Sequence, residues 1–239
     1  MQDAEAVTAR QVGARAVIPL FPLGTVLVPG LVLPLHIFEP RYRRLVRDLM
    51  TRPEDDRAFG VVAIREGWEV GEDGVTALFG VGTLAVVRDI SPYPDGRFDV
   101  TTNGDARFRV VTMAESDAPY LMAEVEWLAE DAAGEEAEAA VLASGVARRF
   151  DAYRAAVAAV GAVEAAQMLE LPDDPRILSY LVAVAMVLDL TDRQLLLEAP
   201  TTTERLRIEV ALLGRETMLL AELPSLPAID LARTTSGLN

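Results

Sequence analysis

The chain has 239 residues, 51% of them hydrophobic and 25% charged, which is enough apolar material for one large domain or two small ones with a packed core. Its formal net charge of −15 weighs against nucleic acid as a partner, because a polyanion calls for a clustered cationic surface. All 22 basic residues are arginine, cysteine is absent and histidine occurs once, so these residues hold no Walker A loop, Ser–Lys dyad, lysine Schiff base, cysteine nucleophile, disulfide or thiolate zinc site.

In chain order, residues 1–15 read as a disordered, mixed polar segment without the apolar core of a signal peptide. A β-rich half follows, set at 16–131. Val17 to Leu20 is apolar and leads into Pro22, and Thr25 to Val28 and Leu31 to Leu35 are β-prone runs separated by Pro29-Gly30. His36 sits in the apolar run Leu33 to Phe38 and is the sole imidazole that could serve a Ser–His–acid triad. Its setting favours a structural histidine, hydrogen-bonded at a strand end. Pro40 can open a helix because its missing N–H costs nothing there, and Tyr42, Leu45, Val46, Leu49 and Met50 then recur as one buried stripe. Arg41, Arg43, Arg44 and Arg47 point elsewhere, as a solvated basic face that offsets nearby carboxylates.

Phe59 to Ile64 and Gly82 to Ile90 read as buried strands. Asp95-Gly96 is a hairpin signal for a type I′ turn into the alternating run Arg97 to Thr101. Arg107 to Met113 and Leu121 to Leu128 continue the series. Seven or so short strands with Pro and Gly punctuation predict a closed or partly closed barrel.

The second half, 132–223, reads as helical, with a loop-like tail over 224–239. Gly134 to Val160 is alanine-rich and places Val141, Leu142, Val146, Phe150, Tyr153 and Val157 near helical spacing. Gly161 breaks it, with a short helix to Leu169. Asp174-Pro175 is a helix start, and Thr191-x-x-Gln194 and Thr201-x-x-Glu204 match the capping box. Ile177 to Leu190 is too short and too polar to span a bilayer, so the expectation is a cytoplasmic protein with no membrane association. The acidic groups Asp55 and Asp56, Glu72 and Asp73, and Glu135, Glu136 and Glu138 read as solvated surface.

Several motifs carry a resemblance. Ile18-Pro19-Leu20-Phe21-Pro22-Leu23, then Val28-Pro29-Gly30 and Pro34 through Tyr42, resemble the opening of free-standing LON-domain proteins, whose domain is the N-terminal domain of Lon protease. Gly80-Val81-Gly82-Thr83, Asp95-Gly96-Arg97-Phe98, Asn103-Gly104 and Arg107-Phe108 are similar to later elements of that family. Asp174-Pro175 through Leu190, Gln194 to Glu198 and Arg205-Leu206 resemble its helical part. The likeness runs from about residue 16 to 222. It implies an α+β fold: a PUA-like β pseudo-barrel followed by an α-helical bundle. In full-length Lon this region helps recognise unfolded or tagged substrates, and ATPase and Ser–Lys peptidase domains follow it. A chain without lysine that stops at Asn239 is expected to lack that chemistry.

The expectation is therefore a non-catalytic module that binds client polypeptides, an adaptor or chaperone-like protein presenting them to a protease, with no cofactor and no metal. Residues that match motifs or sit at predicted element ends are the candidates for peptide binding: Phe38, Glu39, Arg41, Tyr42, Arg97, Asn103, Arg107 and Phe108. Phe38, Tyr42 and Phe108 could equally be core, and Glu39 and Arg107 could simply hold the barrel together. Two other readings stay open, an RNA-binding PUA-like protein using the arginines at 41, 43, 44 and 47, and a hydrolase using His36 as base.

Overall fold

The structure is a computed structural model and describes residues 11–67, 75–130, 134–159 and 170–222. Seven strands form in chain order: β1 (Arg15–Leu23), β2 (Val32–Ile37), β3 (Ala58–Gly67), β4 (Val75–Leu78), β5 (Val81–Pro92), β6 (Phe98–Ala114) and β7 (Met122–Trp127). The sheet runs β1-β7-β6-β5-β3-β4, and β1 also pairs in parallel with β3, from Leu20 opposite Gly60 to Leu23 opposite Ala63. Five strands therefore close a ring, and closure removes the unpaired edges that an open sheet would expose. β2 stands off this ring. It pairs antiparallel with the first part of β6, from Val32 opposite Asn103 to Ile37 opposite Phe98. The second part of β6 pairs with β7 instead.

The interior is filled by the alternate residues of these strands. Ile18, Leu20, Val62, Leu84, Phe108, Val125 and Trp127 form one layer. Phe21, Phe59, Val61, Phe98 and Val100 form the next, which is sealed by the α1 helix (Pro40–Met50). Pro at the first turn starts α1, and Tyr42, Leu45, Val46 and Leu49 are its buried face, with Tyr42 stacked 4.0 Å from Phe21. Met50, expected on this stripe, is exposed because it lies one position past the buried face.

Glycine is required where backbones meet. A Cβ on Gly82 would strike the Val61 carbonyl and the Phe108 ring, and one on Gly104 would strike the Val28 carbonyl. Next to Gly82, the buried Thr83 hydroxyl donates to the Leu27 carbonyl at 2.6 Å. The motif residues around positions 82 and 104 are thus makers of the fold.

Several expectations need correction. Thr25 to Val28 is not a strand. Its Val26, Leu27 and Val28 are buried, but the Leu27 carbonyl goes to Thr83 and the Val28 carbonyl to a turn closed by Leu31 N, leaving no ladder to join. The runs at 97–101 and 107–113 belong to one strand, the 17-residue β6, with register shifts against β5. The Asp95-Gly96 turn is not type I′. Pro94 fixes a negative φ at the first central position, Gly96 N bonds to the Tyr93 carbonyl and Gly96 has φ 82°, which is the three-residue loop with a left-handed third residue. Gln11 to Arg15, placed in the N-terminal segment, are part of the fold: Gly13 N donates to the Trp127 carbonyl at 2.9 Å.

The helical part comprises α2 (Glu136–Ala159), α3 (Pro175–Ala185), α4 (Leu190–Glu198) and α5 (Thr202–Glu222). α2 packs along α5 through Ala139, Ala143, Val146, Phe150, Tyr153 and Val157, a stripe at steps of three and four. Val141 falls between those steps and is 73% exposed, against expectation. Asp174 caps α3 through the Arg176 and Ile177 amides. α4 starts earlier than the capping-box pattern indicates, because Asp189 accepts from Asp192 N and is the N-cap. Gln194 cannot reach back to Thr191, since its amide donates to the Val81 carbonyl and to Glu198. Thr201 does cap α5, accepting from Glu204 N at 3.2 Å. The expected boundary near 131, the short helix over 161–169, the tail over 224–239 and the Glu72 and Asp73 pair lie outside the described residues, as do residues 1–10.

Candidate binding face

The eight residues expected to bind peptide divide between the interior and one exposed region. Tyr42 and Phe108 are core residues, Phe108 with its ring edge-on to Trp127 at 6.1 Å. Arg107 is 1% exposed and makes no surface. Its Nε donates to Glu130 at 2.8 Å, its Nη1 to the Leu197 and Ala199 carbonyls at 2.8 and 2.5 Å, and its Nη2 to the Ala129 carbonyl at 2.6 Å. One guanidinium thereby ties β6 to the end of α4 and to the segment after β7. This is the use to which a rigid five-donor fork is suited.

Behind Arg107 lies a second buried cation that the sequence offered no means of placing. Arg205 of α5 donates to Ser179 Oγ at 2.8 Å and to Tyr180 Oη at 2.9 Å, and Tyr180 donates in turn to Glu130 at 2.6 Å. The guanidinium carbon stands 3.7 Å from the centre of the Tyr180 ring. Burial pushes the Tyr180 hydroxyl far up and the Arg205 guanidinium down, the neighbouring charges working against that in part. This network fastens the helices to the barrel, with both guanidinium groups buried and Glu130 at its partly exposed edge.

Phe38, Arg97 and Asn103 lie on the outside, on a face built by β2, β6 and β5. The register sets three rows: Val32, Asn103 and Val86; Pro34, Thr101 and Asp89; His36, Asp99 and Ser91. Alternation dictates which side chains point out, because Phe98, Val100 and Thr102 of β6 are buried while Asp99, Thr101 and Asn103 are not. Phe38 follows β2 and is 49% exposed, and Tyr93 at the β5–β6 turn is 40% exposed. Their rings flank His36, at 6.4 and 5.8 Å between centroids.

A hydrogen-bonded chain fixes this rim. Asp99 accepts from His36 Nδ1 and from the Tyr93 hydroxyl, each at 2.6 Å. The Tyr93 bond, then the His36 bond, hold the Asp99 carboxyl below the usual carboxylate range, and Asp99 raises the Tyr93 hydroxyl. Arg97 Nη1 donates to His36 Nε2 at 3.2 Å while its Nε donates to Asp95 at 2.7 Å. Arginine cannot accept, so this arrangement needs the neutral tautomer protonated on Nδ1. Nε2 is the atom that a serine nucleophile would have to approach, and Arg97 occupies it; among the described residues no serine bonds to His36. The hydrolase geometry is not formed.

The arginines of α1 are engaged as well. Arg43 donates to the Gly96 and Asp95 carbonyls, Arg44 pairs with Asp48, Arg47 lies over Phe98, and Arg41 pairs with Glu39 at 3.0 Å and lies over Tyr42. They brace α1 and the β5–β6 turn. Among the described residues, no helix is long and apolar enough to cross a membrane and no cluster of three metal-ligating side chains occurs.

The comparison with known families supplies the missing context for this barrel and bundle. Residues 17–215 match the model of the ATP-dependent protease La (LON) substrate-binding domain. The chain belongs to the LON substrate-binding domain family. It is 31% identical over 207 residues to the Lon protease of Escherichia coli (strain K12), covering 86% of this chain and 26% of that protein. It is 28% identical over 205 residues to Lon protease 2 of Myxococcus xanthus, covering 85% and 24%. The chain thus spans about a quarter of the length of these relatives. Among solved structures it is similar to the Lon N-terminal domain protein from Xanthomonas campestris, with TM-score 0.53 and 24% identity over 87% of this chain and 99% of that one. It is also similar to the N-terminal domain of the Mycobacterium avium complex Lon protease, with TM-score 0.58 and 18% identity over 83% and 98%. These two likenesses establish the α+β fold, a β pseudo-barrel carrying a helical subdomain. Within the LON substrate-binding domain, Gly82, Gly104, Arg107 and Phe108 serve the architecture. Of the exposed face around His36, sequence pointed to Phe38, Arg97 and Asn103 but missed Val32, Pro34, Tyr93 and Asp99, although Leu31 to Leu35 is apolar at every position and β2 buries only one of its sides.

Proposed function

We propose that this LON domain is a non-catalytic module that holds segments of client polypeptide on the outer face of β2, β6 and β5 and presents them to a protease. The observation that carries this is an exposed apolar column, Val32, Pro34 and Phe38, with Tyr93 beside it, set against hydrogen-bonding side chains on a strand that, among the described residues, is paired along one edge. Apolar surface next to a few fixed polar groups is what an unfolded segment can use. The match to a substrate-binding domain supports the reading. Of the expected residues, Phe38, Arg97 and Asn103 stay in the proposal, Glu39 and Arg41 border it, and Tyr42, Arg107 and Phe108 leave it.

The test is fluorescence anisotropy with a labelled, permanently unfolded protein such as a reduced and alkylated disulfide protein. Wild type should bind the unfolded form and ignore its native form. Phe38→Ala with Tyr93→Ala should weaken binding roughly tenfold or more, since aromatic anchors are the residues whose truncation costs over about 1.4 kcal/mol. Equal binding by the double variant would remove this face from the proposal.

A further inference from the structure

We infer that the segment held on this face is extended and carries basic as well as apolar residues among the side chains it turns to this face, an acidic segment being disfavoured. This rests on the polypeptide-binding reading and names the class of client. The extended form follows from β2. Among the described residues β2 pairs with β6 alone, so its other edge is open, and Pro34 sits in its middle. Proline is accommodated on an edge strand with its nitrogen turned away from the ladder. Val32 and His36 share its parity and therefore turn their backbone N–H and C=O groups to the open edge. A guest strand can hydrogen-bond there, and its alternate side chains then fall on the same outer face as Val32, Pro34 and His36.

The charge follows from what lies beside that column. Asp99 and Asp89 stand in the second and third columns of the face, and Asp105 follows them along β6. Beyond β5 the face runs into a groove of about 510 Å³ between the end of α1 and β5, floored by Met50, Val86 and Ile90 and edged by Glu54, Asp55 and Asp89. Cations close by include Arg57, which pairs with Glu54, Arg97, which is taken up by Asp95 and His36, Arg43, which is bonded to the Gly96 and Asp95 carbonyls, and Arg88. Carboxylates outnumber them. Asp99 is kept ionised by the Tyr93 and His36 hydrogen bonds. The whole chain adds its −15 to the same sign, which speeds the approach of a cationic segment and opposes an anionic one. Apolar anchors on β2, with anions on the same face one and two strands further in, match a guest whose side chains on that face are both apolar and basic.

Three labelled peptides of one length and one set of apolar residues, with arginine, glutamine or glutamate at the remaining positions, test this by anisotropy. The arginine peptide should bind roughly tenfold or more tightly than the glutamate peptide, and the gap should shrink in high salt. Asp89→Asn with Asp99→Asn should bring the two within about twofold. Ser91→Arg, at an exposed position with no core role, should narrow the gap as well and guards against a folding defect in the first variant. A control that removes the same charge from α2, Glu136→Gln with Asp151→Asn, should leave the preference intact. Equal affinity for all three peptides would overturn the charge inference and leave polypeptide binding standing. No binding of any peptide would overturn the polypeptide-binding reading itself. Loss of the preference in the α2 control would show that overall charge, and not this face, selects the client.

Discussion

Glu209 of α5 is fully buried, and neither carboxylate oxygen has a hydrogen-bond partner. Desolvation raises its carboxyl well above the usual range, with Arg205, one turn back on the same helix, working against the shift. A carboxyl in this state keeps its proton in the fold to a higher pH than it does in the unfolded chain. The unfolded chain begins to lose that proton near the ordinary glutamate value of about 4.3. Above that value the unfolded state binds fewer protons than the folded one, so stability falls as pH rises, up to the raised folded value. Glu209→Met removes both the desolvation and the unpaired oxygens, and an orphaned buried polar group costs about 1–3 kcal/mol. Urea unfolding should find the variant more stable than wild type at pH 8, with the difference narrowing toward pH 4. A difference constant across that range would mean that Glu209 does not titrate as its burial requires.

At the scale of elements, the helix caps show how far local sequence reaches. Asp174-Pro175 and Thr201 were legible because Pro175 marks the first helical position after Asp174 and Glu204 completes the capping-box spacing from Thr201. At α4 two candidates stand two residues apart, and the motif selects Thr191 where the structure uses Asp189. The difference is tertiary: Gln194, the residue that would complete the box, is drawn to the Val81 carbonyl of the barrel. Asp189→Ala should cost about 1 kcal/mol by chemical denaturation and Thr191→Ala less than about 0.5 kcal/mol, since an N-cap contributes that much and an exposed first-turn threonine does not. The reverse ranking would restore the capping box. The strands follow the same logic. Periodicity located them and hinted at closure, but β6 read as two strands because Gly104 looks like a breaker, when it is there to let the Val28 carbonyl approach.

For the whole molecule, the question is what joins barrel to bundle. The apolar contact between them is small, built around Val26, Val28, Ala63, Val81, Tyr180 and Leu197. The polar network at its side reaches from Arg107 through Glu130 and Tyr180 to Arg205. Arg107 was legible as a motif residue, but its role was not, because its acceptors on α4 lie about ninety positions away in the chain. Arg107→Met keeps the bulk of the side chain and removes every donor. It leaves Glu130 short of a cation and the Leu197 and Ala199 carbonyls without their partner. Losing one side of a buried pair costs about 3–5 kcal/mol. Arg107→Lys should recover little, because one ammonium cannot serve acceptors spread around a planar fork. The loss should also be local. Amide hydrogen exchange in Arg107→Met should rise in α4 and through residues 199–201, where the tether ends, and change least in β2 and the first part of β6. A variant as stable as wild type, or one whose exchange rises evenly over both parts, would mean that the apolar contact alone holds the bundle to the barrel.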